Sequence, residues 1–185
     1  MAKKAKRKLE DTMGRREVLK GALGLGLALA TGQVLAESAS VVKAGDILVH
    51  ATGDMAGKPI LAKDVPAESL LMAYPMDASS KNINKDRNAM IVLVKLDPKT
   101  LDMDTAKHAA EGLVAYSAIC THRGCAVGSL AQGDIVCPCH GSMYDPHHGA
   151  KVVGGPAPRA LAALPIKLDA GQVVAAGGFI GQVGV

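Results

Sequence analysis

The chain is nearly devoid of aromatic side chains: among 185 residues only Tyr74, Tyr116, Tyr144 and Phe179 carry one, and Trp is absent. A surface that stacks nucleic-acid bases needs several aromatic faces, so that class of function is excluded. Beyond its N-terminus the chain also lacks charge of one sign. Residues 1–20 hold eight Lys or Arg against three acids, whereas residues 21–185 hold thirteen basic and fourteen acidic groups. The formal net charge of +4 therefore belongs to the leader, and the body has no electrostatic footprint for DNA or RNA. A mass of 18.9 kDa fits one domain with a tail and does not fit two cores comfortably.

The leader runs Gly14-Arg15-Arg16-Glu17-Val18-Leu19-Lys20 and then, from Gly21 to Ala36, has no charged residue. It resembles a twin-arginine export signal, with Gly14 in place of a hydroxyl residue and Val18 in place of an aromatic. Sixteen helical residues span about 24 Å, less than the ~30 Å hydrocarbon core. With Val18, Leu19 and a snorkelling Lys20 the segment reaches the length of an anchor, while Val34-Leu35-Ala36 also reads as a cleavage site. A positive N-terminus ahead of the anchor places the body on the extracytoplasmic side of the cell membrane. The reading is a basic tail, signal and anchor helix over 1–36, a small polar linker or hinge over 37–45, and one domain over 46–185.

In that domain short β-branched and aliphatic runs alternate with turn residues: Ile47–Val49, Leu70–Tyr74, Met90–Leu96, Leu113–Ser117, Ile135–Cys137, Lys151–Val153, Leu164–Leu168 and Gln172–Ala175. The pattern predicts an all-β fold of antiparallel strands. Asp169-Ala170-Gly171 predicts a hairpin loop, and Pro98–Glu111 one or two helical turns.

Cysteine is scarce and concentrated. All four lie in two blocks, Cys120-Thr121-His122-Arg123-Gly124-Cys125 and Cys137-Pro138-Cys139-His140-Gly141-Ser142-Met143-Tyr144-Asp145. Each block offers a Cys and a His at ligand spacing, Cys120 with His122 and Cys137 with His140, and leaves one cysteine over. Such donors suit zinc or an iron–sulfur centre. Cys125 and Cys139 read as corresponding positions that could be joined by a disulfide in an exported protein, or remain as two buried thiols. With the other four as ligands, the set is that of a two-Cys, two-His [2Fe-2S] centre. Two ferric irons, two sulfides, two thiolates and two neutral imidazoles sum to zero charge, so the cluster accepts an electron more readily than a four-thiolate one, at roughly −150 to +300 mV. Oxidation of the iron also eases proton loss from the non-ligating ring nitrogens, which couples electron and proton uptake. A structural zinc on the same residues explains four ligands but neither the paired leftover cysteines nor Ser142 and Tyr144. His147 and His148 read as surface-turn residues.

The blocks CTHRGC and CPCHGSMYD resemble the cluster-binding loops of Rieske iron–sulfur proteins, and the extra cysteine pair resembles the quinol–cytochrome c reductase (cytochrome bc complex) subunit. Gly154-Gly155-Pro156-Ala157-Pro158-Arg159 is similar to the proline-rich loop covering the cluster in these proteins. Over nearly the whole chain the likeness is to Rieske subunits of the Thermus and Deinococcus type. The resemblance implies a Rieske fold of antiparallel sheets with an inserted cluster-binding subdomain at about 118–158, and a Cys125–Cys139 disulfide. It further implies one [2Fe-2S] cluster held by Cys120 and Cys137 on the inner iron and by His122 and His140 on the exposed one. Ser142 and Tyr144 would donate hydrogen bonds to sulfur and raise the potential. The implied activity is that of an oxidoreductase subunit, with His122 and His140 meeting quinol. Its implied partners are quinol, cytochrome b and a c-type cytochrome. A small Rieske subunit of an arsenite oxidase-like molybdoenzyme is the alternative. Two features depart from the family: Arg123 stands where an apolar Leu is usual, and only 14 residues separate His122 from Cys137.

Overall fold

The computed structural model describes residues 41–185. The signal, the anchor helix and the start of the linker lie outside the described residues. Among the described residues ten strands form two antiparallel sheets. They are β1 (Ile47–His50), β2 (Leu70–Met76), β3 (Ile91–Lys95), β4 (Leu113–Ser117), β5 (Ser129–Ala131), β6 (Asp134–Val136), β7 (Met143–Asp145), β8 (Lys151–Gly154), β9 (Ile166–Asp169) and β10 (Gln172–Ala175). The larger sheet has the order β4-β3-β2-β1-β10-β9 and the smaller β5-β6-β7-β8, so the domain is all-β as its strand pattern predicts.

The centre of the large sheet explains how the small one is carried. Side chains alternate faces along a strand. Ile91 and Leu93 of β3, with Leu113 and Ala115 of β4, enter one core beside Leu48, Ile60, Leu164 and Val173. Their neighbours Val92, Val94, Val114 and Tyr116 enter a second core with Ile135, Tyr144, Cys120 and Cys137. β3 and β4 are therefore buried on both faces, which is why they read in the sequence as unbroken apolar runs rather than as alternation. The second core fixes the small sheet against β4, from whose end the first cysteine block departs.

Several local expectations meet the structure with adjustments. The Pro98–Glu111 segment holds a 3₁₀ turn and the short helix α1 (Met103–Ala106), whose first turn is capped by the Asp102 carboxylate accepting from the Thr105 N–H at 2.7 Å. The C-terminal hairpin turns on two residues, not three: Asp169 pairs with Gln172, and Ala170 and Gly171 both have positive φ, 47° and 79°. That is the primed turn whose twist matches its strands. β5 and β7 escape the sequence pattern because, unlike the equally short β6, they hold no β-branched residue. Residues 41–45, read as the end of a linker, are tied to the domain although 43–45 are exposed. Val42 is fully buried in the first core, the Gly45 N–H donates to the Ala175 carbonyl, and Lys43 pairs with Asp77 at 2.5 Å.

Candidate metal centre

The two cysteine blocks fold into the same backbone device. In the first, the Cys120 N–H donates to the Cys125 carbonyl (2.8 Å) and the Gly124 N–H returns to the Cys120 carbonyl (2.9 Å). In the second, the Cys137 N–H donates to the Ser142 carbonyl (2.9 Å) and the Gly141 N–H returns to the Cys137 carbonyl (3.0 Å). Each knuckle closes through a glycine in the left-handed region, Gly124 at φ +73° and Gly141 at +70°, which costs glycine little and other residues much. The opening cysteine of each knuckle is buried and unbridged, while His140 is exposed and His122 half-buried. The two imidazoles meet edge to face with centroids 4.7 Å apart.

This register corrects one expectation about position. Cys125 sits five residues into its knuckle and Cys139 two residues into the other, so the place equivalent to Cys139 is that of His122. The two leftover cysteines nevertheless meet, and a Cys125–Cys139 disulfide ties the knuckles together with Cα atoms 6.5 Å apart. The sulfurs of Cys125, Cys137 and Cys139 lie within 4.8 Å of one another, but the bridged pair has no thiolate to offer and that triple is not a metal site.

Around the buried cysteines the hydrogen bonding is specific. The Tyr144 hydroxyl lies 3.1 Å from Cys120 Sγ and accepts the Thr121 N–H at 3.2 Å. Thr121 Oγ1 donates to the Arg159 carbonyl at 2.6 Å, joining the first knuckle to the end of the Gly154–Arg159 segment. Burial and the facing Cys120 sulfur push the Tyr144 hydroxyl up to about 12, so it remains a proton donor. Burial pushes the Cys120 thiol up. Hydrogen bonding from Tyr144 and the His122 backbone leads the effects that outweigh it and leave the thiol below its ordinary value. Cys137 is raised, first by burial and then by the adjacent Cys120. Two thiols this close do not both ionise freely, so a cation between them is electrostatically favoured.

Two buried polar atoms mark what the site lacks in protein partners. His122 Nδ1 and Ser142 Oγ make no hydrogen bond of acceptable geometry. An orphaned buried polar group costs about 1–3 kcal/mol unless something satisfies it. A metal–sulfur group ligated by the histidine and hydrogen-bonded by the serine answers both. With two buried cysteines and two adjoining imidazoles, the residues present fit such a group.

The structure thus brings Cys120, His122, Cys137, His140, Ser142 and Tyr144 together. Sequence reasoning missed Thr121, which is buried, and, having placed Gly155 in the covering segment, missed its particular role at φ +78°. A Cβ at Gly155 would lie 2.6 Å from both the Gly141 carbonyl and Ser142 Cα, so the covering segment rests directly on the second knuckle. The pair Gly154-Gly155 before Pro156 was the available signal. His147 and His148, read as plain turn residues, are both held by Asp145: its Oδ1 accepts the His147 N–H at 2.8 Å, and its Oδ2 lies 2.6 Å from His148 Nδ1.

Fold and site together define a β-domain with a metal–sulfur centre at the tips of two tied loops. The family profile described as Rieske [2Fe-2S] domain matches residues 78–165. A cytochrome bc1 complex Rieske iron-sulfur subunit of Streptomyces lividans is 36% identical over 134 residues, 69% of this chain and 79% of that protein. The subunit of the same name from Streptomyces coelicolor is 31% identical over 95% of this chain and 54% of its own length. A protein of Haloferax mediterranei, provisionally named the Rieske subunit of a respiratory nitrate reductase, is 46% identical over 45% of this chain and 38% of its own length. The chain therefore spans about half or less of two of these relatives and most of the third. It belongs to the Rieske iron–sulfur protein family, whose domain carries a [2Fe-2S] cluster.

Proposed function

We propose that this chain is the Rieske subunit of a membrane quinol–cytochrome c oxidoreductase, with Cys120, Cys137, His122 and His140 as the cluster ligands. The observation that carries the reading is the exposed His140 imidazole, 4.7 Å from His122 by centroid, above two buried unbridged cysteines and a Tyr144 hydroxyl directed at sulfur. When bound, the cluster supplies one-electron redox chemistry at a potential raised by two neutral imidazoles. The protein's own part is positional. His140 offers a solvent-facing ring nitrogen to which a quinol hydroxyl hydrogen-bonds and passes its proton. His122 turns Nδ1 inward, where water does not reach it. Tyr144 presents its hydroxyl to the Cys120 sulfur, and the Ser142 hydroxyl, without a protein partner, would donate to a cluster sulfur; such bonds stabilise added negative charge and favour quinol oxidation over low-potential electron carriage. The disulfide and the Gly155 contact hold the knuckles in one geometry.

The basic leader and the Gly21–Ala36 segment would anchor the domain on the extracytoplasmic face, beside cytochrome b and a c-type cytochrome. No helix among the described residues is long and apolar enough to cross a membrane. An EPR-monitored redox titration at several pH values, with iron and zinc counted on the same sample, tests the reading. A rhombic signal with a positive potential that falls as pH rises is the expected result, because oxidation favours proton loss from ligated imidazoles. A low, pH-independent potential would place the chain in a different electron-transfer complex, such as the molybdoenzyme alternative. Zinc without a signal would end the redox reading.

A further inference from the structure

The described residues contain three arginines, Arg87, Arg123 and Arg159, and all three stand at the first knuckle. Arg87 reaches across from the segment before β3 to donate from Nη2 to the Gly124 carbonyl. Arg159 receives the Thr121 hydroxyl at its carbonyl and donates its own Nη2 to the Gly184 carbonyl. Arg123 lies between them on the chain, exposed, directly after His122.

None of the three meets a carboxylate: every ion pair among the described residues is made by Lys or His. No acid occurs between Glu111 and Asp134, between Asp134 and Asp145, or between Asp145 and Asp169, so neither knuckle nor the covering segment carries one. A body with slightly more acids than bases thus places two exposed guanidinium groups without a carboxylate partner, those of Arg87 and Arg123, at the rim of its exposed histidine, while the Arg159 side chain is half-buried with its Nε enclosed. Guanidinium is the weakly hydrated, forked cation best suited to pairing with carboxylates across an interface.

From this placement we propose, on the redox reading of this site, that the arginine rim is the docking surface for the acidic face of an electron-accepting protein, with Arg123 as its principal contact. The complementary charge steers that face onto the His140 edge and raises the rate of encounter.

Stopped-flow oxidation of the reduced, cluster-loaded full chain tests this with two trivalent oxidants of opposite charge, ferricyanide and tris(phenanthroline)cobalt(III). In each reaction one electron leaves the protein and the metal complex is reduced by one unit, with no atom exchanged. For a unit charge about 7 Å from a trivalent ion in water, removal of Arg123 changes each rate about tenfold, in opposite directions, and their ratio about a hundredfold at ~0.01 M ionic strength, fading toward parity at ~1 M. Arg123→Leu should slow ferricyanide and speed the cobalt complex. Arg123→Lys should retain most of the wild-type ratio. Lys167→Leu removes a charge on β9 next to Ile166, whose N–H donates to the His108 carbonyl ahead of β4, at the end of that strand opposite the first knuckle, and should move neither rate appreciably. The same variants assayed with an acidic and a basic c-type cytochrome should show the same ordering, and reduction potentials measured for each remove driving force as a cause.

Equal changes with both oxidants, or an effect of Lys167→Leu as large as that of Arg123→Leu, would overturn the rim. Absence of electron transfer to either oxidant, with no EPR signal, would instead overturn the redox reading and the rim with it.

Discussion

Replacing Tyr144 by Phe deletes one oxygen from a fully buried ring and leaves its packing in place. That oxygen lies 3.1 Å from Cys120 Sγ, 3.2 Å from the Thr121 nitrogen and 3.4 Å from Thr121 Oγ1, so interactions toward sulfur and toward Thr121 are lost with different consequences. Toward sulfur, the hydrogen bond strengthens as negative charge accumulates. Bonds to charged groups are worth about 1.5–3 kcal/mol and neutral ones about 0.5–1.5, so the differential favouring the reduced state is about 1–1.5 kcal/mol. For a one-electron couple at 59 mV per 1.36 kcal/mol, the potential should fall by about 45–65 mV. Toward Thr121, a buried N–H is left without an acceptor, costing about 1–3 kcal/mol of stability. At about 2–4 °C per kcal/mol for a domain of this size, thermal unfolding should move down measurably. An EPR-monitored redox titration and a melting curve on the same iron-loaded sample read the two effects separately. The potential shift should be the same at every pH, because Tyr144 stays protonated up to about pH 12. A folded, iron-loaded variant with an unchanged potential would refute the donor role of this hydroxyl, however far its melting temperature moved.

Three further outcomes are expected. Gly155→Ala should destabilise the domain by about 1–3 kcal/mol and disturb the EPR line shape, since its Cβ meets the Gly141 carbonyl at 2.6 Å; Gly149→Ala, with φ +65° but open space, isolates the cost of backbone conformation alone in the same denaturant titration. Cys139→Ser opens a disulfide of sequence separation 14 and should cost about 3 kcal/mol, and wild-type protein unfolded in the presence of reductant should fall to the variant's stability. Asp145 is pushed up by burial but pulled further down by the His147 N–H and the His148 and His147 side chains, which leaves its carboxyl below the usual range. A depressed pKa contributes stability above the unfolded value that is lost as pH falls through the folded one. Asp145→Asn should therefore be about 1–2 kcal/mol less stable than wild type at neutral pH, the gap closing in acid, and chemical denaturation at the two pH values checks it.

How far the sequence determined this protein differs between strands, donors and contacts. Most strands announce themselves as short β-branched runs, and the doubly buried β3 and β4 are the clearest because both faces are apolar. The donor types and their spacing were equally local information: a Cys and a His within three residues of each other in each block are a ligand pair whatever surrounds them. What only the tertiary structure decided are contacts between segments distant in the chain. That Tyr144 reaches Cys120 across 24 positions depends on β7 pairing with β6 in the small sheet and packing against β4 in the second core. That Cys125 meets Cys139 despite their unequal places in the two knuckles depends on how the loops face each other. That Arg87 joins Arg123 at one rim depends on a side chain crossing from the segment before β3. Local composition sets which atoms are chemically able to bind a metal or a carboxylate, whereas their convergence is set by sheet order and by burial, which no window of neighbouring residues contains.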